Sequence, residues 1–129
     1  MNIPKELKYS SEHEWARVNG NRVTVGITDF AQSQLGDIVY VELPAVGAMT
    51  SKSAGFSVVE SVKAVSDIYA PVTGKVVEVN QTLTETPEHV NKDPYGQGWI
   101  AVIEMEKPAD LAGMLDSEAY GKIISEGGH

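Results

Sequence analysis

With 129 residues, 42% of them hydrophobic, the chain has the length of a single domain and can bury roughly two-thirds of its unfolded surface around a core. Its formal net charge of −8 argues against nucleic acid and against anionic membranes as partners, since both repel it. The absence of cysteine removes disulfides, a thiolate nucleophile and cysteine-based metal sites, so any thiol chemistry has to come from an attached group.

The N-terminus, Met1-Asn2-Ile3-Pro4-Lys5-Glu6-Leu7, lacks the apolar run of a signal peptide and the arginine-rich make-up of a transit peptide. No stretch reaches bilayer-spanning length, and the expectation is a soluble cytoplasmic protein. Trp15 to Val18 and Arg22 to Ile27 read as strands around Asn19-Gly20-Asn21, a strong hairpin signal. Thr28 is placed to cap a short helix, Asp29 to Leu35, ended by Gly36. Asp37 to Leu43 is a strand stopped by Pro44, and Phe56 to Ile68 reads as a second hairpin. After the turn Pro71 to Gly74 comes another strand, Lys75 to Val79. Thr86 with Pro87 behind it predicts one turn of helix, followed by loop. Trp99 to Met105, mainly apolar, predicts a central strand. Ala109 to Leu115 and Ser117 to Ser125 read as short helices, and Gly127-Gly128-His129 as a frayed end. Short strands with only small helices predict a compact barrel or sandwich. Gly36 to Glu42 and Gly74 to Asn80 echo each other on either side of the second hairpin, hinting at two similar halves.

Conventional catalytic sets are scarce. His13, His89 and His129 are scattered, Glu12-His13-Glu14 lacks the spacing of a helical zinc site, and the glycines form no phosphate loop. A chain so equipped is poorly suited to be an enzyme. What stands out is Lys63, in Val58-Val59-Glu60-Ser61-Val62-Lys63-Ala64-Val65-Ser66-Asp67-Ile68-Tyr69-Ala70-Pro71, at the apex of a hairpin with no Gly or Pro within five residues. A lone hairpin lysine is ordinarily a solvated charge. Catalysis by its amine would need a lowered pKa, whereas Glu60 and Asp67 favour the protonated form. Acceptance of a covalent group needs only reach and rigid presentation, so the carrier reading is the stronger one.

That segment, with Gly74 following, resembles the lipoyl-attachment region of the H proteins of the glycine cleavage system. The resemblance extends to Ser11-Glu12-His13-Glu14-Trp15, Val25-Gly26-Ile27-Thr28-Asp29, Leu35-Gly36-Asp37, Val41-Glu42-Leu43-Pro44 and Asn91-Lys92-Asp93-Pro94-Tyr95-Gly96-Gln97-Gly98-Trp99. It covers about residues 7 to 120, and is loosest over Ala48 to Ala54. A lipoyl domain of a 2-oxo acid dehydrogenase would be shorter and tethered by Ala/Pro-rich linkers. A biotinyl carrier would typically flank its lysine with methionine, where this chain has Val62 and Ala64.

The resemblance implies one lipoyl-carrier domain over residues 1–129, monomeric and non-catalytic. Its fold would be an all-β core of barrel-sandwich hybrid type (lipoyl/biotinyl-like) with short peripheral and C-terminal helices. Lys63 would be the modified residue, joined to lipoate by an amide made by lipoate-attaching enzymes. Implied partners are glycine decarboxylase (P protein), which loads an aminomethyl group, aminomethyltransferase (T protein), which removes it, and dihydrolipoamide dehydrogenase (L protein), which reoxidises the arm. Glu14 and Asp67 match the family's arm cleft, where a carboxylate would hold the cationic aminomethyl group.

Overall fold

The computed structural model describes residues 1–126; the expected frayed end, Gly127-Gly128-His129, lies outside the described residues. In chain order the elements are β1 (Lys8–Tyr9), β2 (Glu14–Asn19), β3 (Arg22–Ile27), α1 (Asp29–Leu35), β4 (Ile38–Glu42), β5 (Met49–Thr50), β6 (Gly55–Ser61) and β7 (Val65–Tyr69). They continue as β8 (Gly74–Val79), α2 (His89–Lys92), β9 (Ala101–Met105) and α3 (Ser117–Ser125), with 3-10 turns at Gln81–Thr84 and Pro108–Gly113.

Local chemistry explains the first elements. Asn19 pairs with Arg22 across a two-residue turn, and Gly20 supplies the positive φ, +64°, that such a turn requires. The Thr28 hydroxyl accepts from Ala31 N–H and caps α1, and Gly36 at φ +81° ends it, returning its N–H to the Gln32 carbonyl. Around residue 86 the expectation fails in register. Helix α2 begins at His89, without a side-chain cap, and the Thr86 carbonyl accepts from His89 N–H where a hydroxyl cap was expected. The first of the two expected C-terminal helices is the 3-10 turn Pro108–Gly113, while α3 spans Ser117–Ser125 as expected.

The strands form two antiparallel sheets, one ordered β1-β2-β3-β9-β8-β5 and the other β4-β6-β7. Strand β9 lies inside the larger sheet, between β3 and β8, as its apolar run predicted. The expectation of an all-β core closed as a barrel-sandwich hybrid is overturned. Both sheets are open, among the described residues no strand pairing joins them, and with its helices the fold is mixed α/β. The outer strands of the small sheet run out at Pro44 after β4 and at Pro71 after β7, and proline has no N–H to extend a ladder. At the edges of the large sheet β1 and β5 are two residues long, and Tyr9 of β1 makes a single antiparallel bridge with Leu115. What holds the sheets together is side-chain burial. Ile38, Val41, Val59 and Ile68 of the small sheet form one core with Ile27, Val76 and Ala101 of the large one. The echoing strands β4 and β8 thus meet in that core from opposite sheets. A second apolar cluster, built on Tyr9, Trp15 and Tyr120, fastens α3 to the N-terminal strands; the Tyr9 and Tyr120 rings stack at 4.7 Å.

Candidate functional site: the lysine turn and the Glu14 cavity

Lys63 is exposed at the centre of the three-residue link Val62-Lys63-Ala64 between β6 and β7, where Glu60 and Val65 are the last paired residues. Ser61 organises the link. Its N–H donates to the Ala64 carbonyl at 2.8 Å, and its hydroxyl oxygen accepts from Lys63 N–H at 3.2 Å and Ala64 N–H at 3.0 Å. Val62 N–H donates to the Asp37 carbonyl at 3.0 Å, pinning the turn to the segment leading into β4. With its backbone donors satisfied this way, the turn is rigid without glycine or proline. The lysine stem lies over Gly36, where a Cβ would stand in ordinary van der Waals contact with Lys63 Cε, at 3.4 Å.

Glu14 opens β2 and is only 2% exposed. The Ser10 hydroxyl donates to one carboxyl oxygen, and Tyr69 N–H at the end of β7 donates to the other at 3.2 Å. Loss of water pushes the carboxyl up to about 7; the Ser10 and Tyr69 hydrogen bonds pull against that rise and the charge of Glu12 adds to it. The carboxyl borders a cavity of about 300 Å³ lined by Ser10, Glu12, Lys52, Tyr69 and Met114 among others. A buried carboxyl at the wall of a space of that size can accept a hydrogen bond from a group brought into it.

The strand β7 links the two features, running from the Lys63 turn to the Tyr69 amide that holds Glu14. Asp67 lies between them in sequence, exposed, opposite Val58 and outside the cavity lining. His13, beside Glu14, takes φ +74°, and its Nδ1 is 2.8 Å from the Tyr120 hydroxyl, in the contact that docks α3. Among the described residues, no group of three or more His, Cys, Asp or Glu side chains is arranged to hold a metal ion. Ser10 and Tyr69 carry no functional signal in the sequence, and Lys52, there only a turn lysine to set against Lys63, lines the cavity. Tyr69 acts through its backbone, which leaves no residue-type signal. Ser10 lies four residues before Glu14 and was the one findable partner.

The family model for the glycine cleavage H-protein matches residues 7–127. A glycine cleavage system H protein of Symbiobacterium thermophilum is 57% identical over 126 residues, 98% of each chain. One from Carboxydothermus hydrogenoformans is 56% identical over 98% of this chain and 97% of its own. The crystal structure of a glycine cleavage system H protein from Mycobacterium marinum superimposes with a TM-score of 0.88 at 36% identity, covering 95% of this chain and 99% of that one. The chain belongs to the glycine cleavage H-protein family, the non-catalytic lipoyl carriers of that system.

Proposed function

We propose that Lys63 carries lipoate in amide linkage and that the chain shuttles an aminomethyl group from glycine decarboxylase to aminomethyltransferase, and reducing equivalents to dihydrolipoamide dehydrogenase. The observation that carries this reading is family membership across nearly the whole chain, combined with an exposed Lys63 on a turn fixed by Ser61 and Asp37. When bound, lipoate supplies a disulfide that opens and closes, the thiol chemistry this cysteine-free chain lacks. The chain's own residues contribute presentation and shelter. Ser61 keeps the acceptor turn in one conformation, and attachment removes the lysine charge.

Glu14, held by Ser10 and Tyr69, offers its carboxylate to a cationic amine brought into the cavity, in a setting where a charge-assisted hydrogen bond is stronger than in water. Asp67 is the second acid in this reading, an exposed carboxylate on the strand between the turn and the cavity. Residues 1–129 act in it as a single, monomeric carrier domain.

The test is intact-mass analysis of protein made in lipoate-supplied cells. The parent gains one lipoyl group, and Lys63→Arg, which keeps the charge at an exposed site, folds like the parent and gains none. Lipoylation of that variant would put the attachment site elsewhere, with Lys52 and Lys75 as the neighbours to examine.

A further inference from the structure

The Asn91-to-Trp99 segment lies outside the Lys63 hairpin, yet its first residue reaches the lysine turn. Asn91, the third residue of α2, is half-buried and makes three long-range hydrogen bonds with its side chain. Its Oδ1 accepts from Ile38 N–H at 2.8 Å, and its Nδ2 donates to the Gly36 carbonyl at 2.9 Å and to Gln32 Oε1 at 3.0 Å. All three converge on the last turn of α1 and on Gly36-Asp37-Ile38, where the chain passes from α1 into the first residue of β4.

That link carries the lysine turn. The Ile38 N–H held by Asn91 and the Asp37 carbonyl that accepts from Val62 N–H belong to one peptide unit, which is planar and turns as a rigid plate. Fixing the N–H side of the plate therefore aims its carbonyl at the residue before Lys63. The two hydrogen bonds also polarise the same amide in the same sense, each strengthening the other. The next plate back is held through the Gly36 carbonyl, and Gly36 is the residue over which the Lys63 stem lies.

We propose that Asn91 is a positioning residue for Lys63: by clamping the Gly36-Asp37-Ile38 link, it holds the acceptor lysine in the orientation that the lipoate-attaching enzyme recognises. Asn91 is not catalytic and touches no reacting atom. It acts on the fraction of molecules whose turn is competent. When that fraction falls, the apparent KM for the acceptor rises in proportion and kcat at saturation stays unchanged.

This inference rests on the Lys63 reading, so the experiment separates the two. A purified lipoate–protein ligase is supplied with ATP, lipoate and the full chain as acceptor. The Lys63 amine attacks the acyl carbon of lipoyl-adenylate, a C–N bond forms, the C–O bond to phosphate breaks, AMP leaves and the amine proton passes to solvent. Four acceptors are compared at a temperature where circular dichroism shows each folded: parent, Asn91→Ala, Asn91→Asp and Asn80→Ala. Asn91→Asp keeps one acceptor oxygen, loses both donors and serves if the alanine variant does not fold. Asn80→Ala is the structural control, because it removes a buried amide bonded to the Gln97 and Trp99 carbonyls, away from the lysine link.

For both Asn91 variants the expectation is a KM raised about ten-fold with kcat within about two-fold, and faster hydrogen exchange at the Val62 amide. Asn80→Ala is expected to match the parent in all three. Unchanged KM in the Asn91 variants, or an equal rise in Asn80→Ala, overturns the proposal. A parent that takes no lipoate at Lys63 overturns the reading beneath it instead.

Discussion

Glu14 and Lys63 are both charged residues in short polar runs, yet their surroundings give them opposite properties. Lys63 is exposed because its turn is, and a strand–turn–strand pattern makes that visible in sequence. The burial of Glu14 was not visible, since Glu12-His13-Glu14 reads as surface charge until Tyr69, 55 residues away, closes over it. Burial makes the folded chain hold the Glu14 proton more tightly, near pH 7 against about 4.3 when unfolded. This contribution to stability is fully present below the unfolded value and is lost as pH rises through about 7, an effect on the order of 3 kcal/mol. Glu14→Gln cannot ionise, so its melting temperature should decline less than the parent's between about pH 5 and 8. The same substitution leaves lipoylation intact but should speed release of the amine from the isolated loaded form. That difference should be clear at about pH 8, where the carboxyl is ionised and the ammonium beside it favours the charged form. Equal release rates at that pH would remove Glu14 from the role.

At the scale of elements, legibility followed local chemistry. The Gly20 hairpin and the Thr28–Gly36 helix carry their instructions in adjacent residues, and both formed as read. Residues 80 to 98 do not. Asn80, which precedes the 3-10 turn, spends its side-chain N–H groups on the Gln97 and Trp99 carbonyls, so long-range satisfaction rather than a local side-chain cap marks where the turn Gln81–Thr84 begins. The returning Pro94-to-Trp99 loop is correspondingly tight. Trp15 Nε1 donates to the Pro94 carbonyl at 2.9 Å, and a Cβ on Gly98 would meet the His89 carbonyl at 2.8 Å and the Asp93 carbonyl at 2.9 Å. Those contacts are backbone and cannot swing aside. Gly98→Ala should therefore cost about 2–4 kcal/mol in chemical denaturation. Gly20→Ala meets open space and should cost only the roughly 1–2 kcal/mol of a left-handed alanine. Comparable losses would mean that the loop yields more readily than its packing implies.

For the whole molecule, strand count and alternation announced a β-rich core, but barrel closure depends on which strands pair across the sheet edges, and that is read only from the strand order. The open small sheet has a consequence for association. Its outer face presents the cross-strand rows Tyr40–Glu60–Val65 and Glu42–Val58–Asp67, in which three exposed carboxylates alternate with apolar groups beside the Lys63 turn. Lys63 is the one cation of that strand–turn–strand segment, and attachment of lipoate removes its charge, leaving the face and an already anionic chain more negative. A partner approaching the arm therefore meets a negative field, which favours a basic docking surface and steers its approach. Salt screens such a field, shrinking the Debye length about three-fold between roughly 50 and 500 mM, while a reaction inside the partner's enclosed site is screened far less. The KM of glycine decarboxylase for the lipoylated chain should rise steadily over that range with kcat nearly constant, and Glu60→Gln with Asp67→Asn together should flatten the rise. A KM indifferent to salt would assign docking to the exposed apolar side chains, Tyr40 and Val65, and leave the carboxylates as solubilising charge.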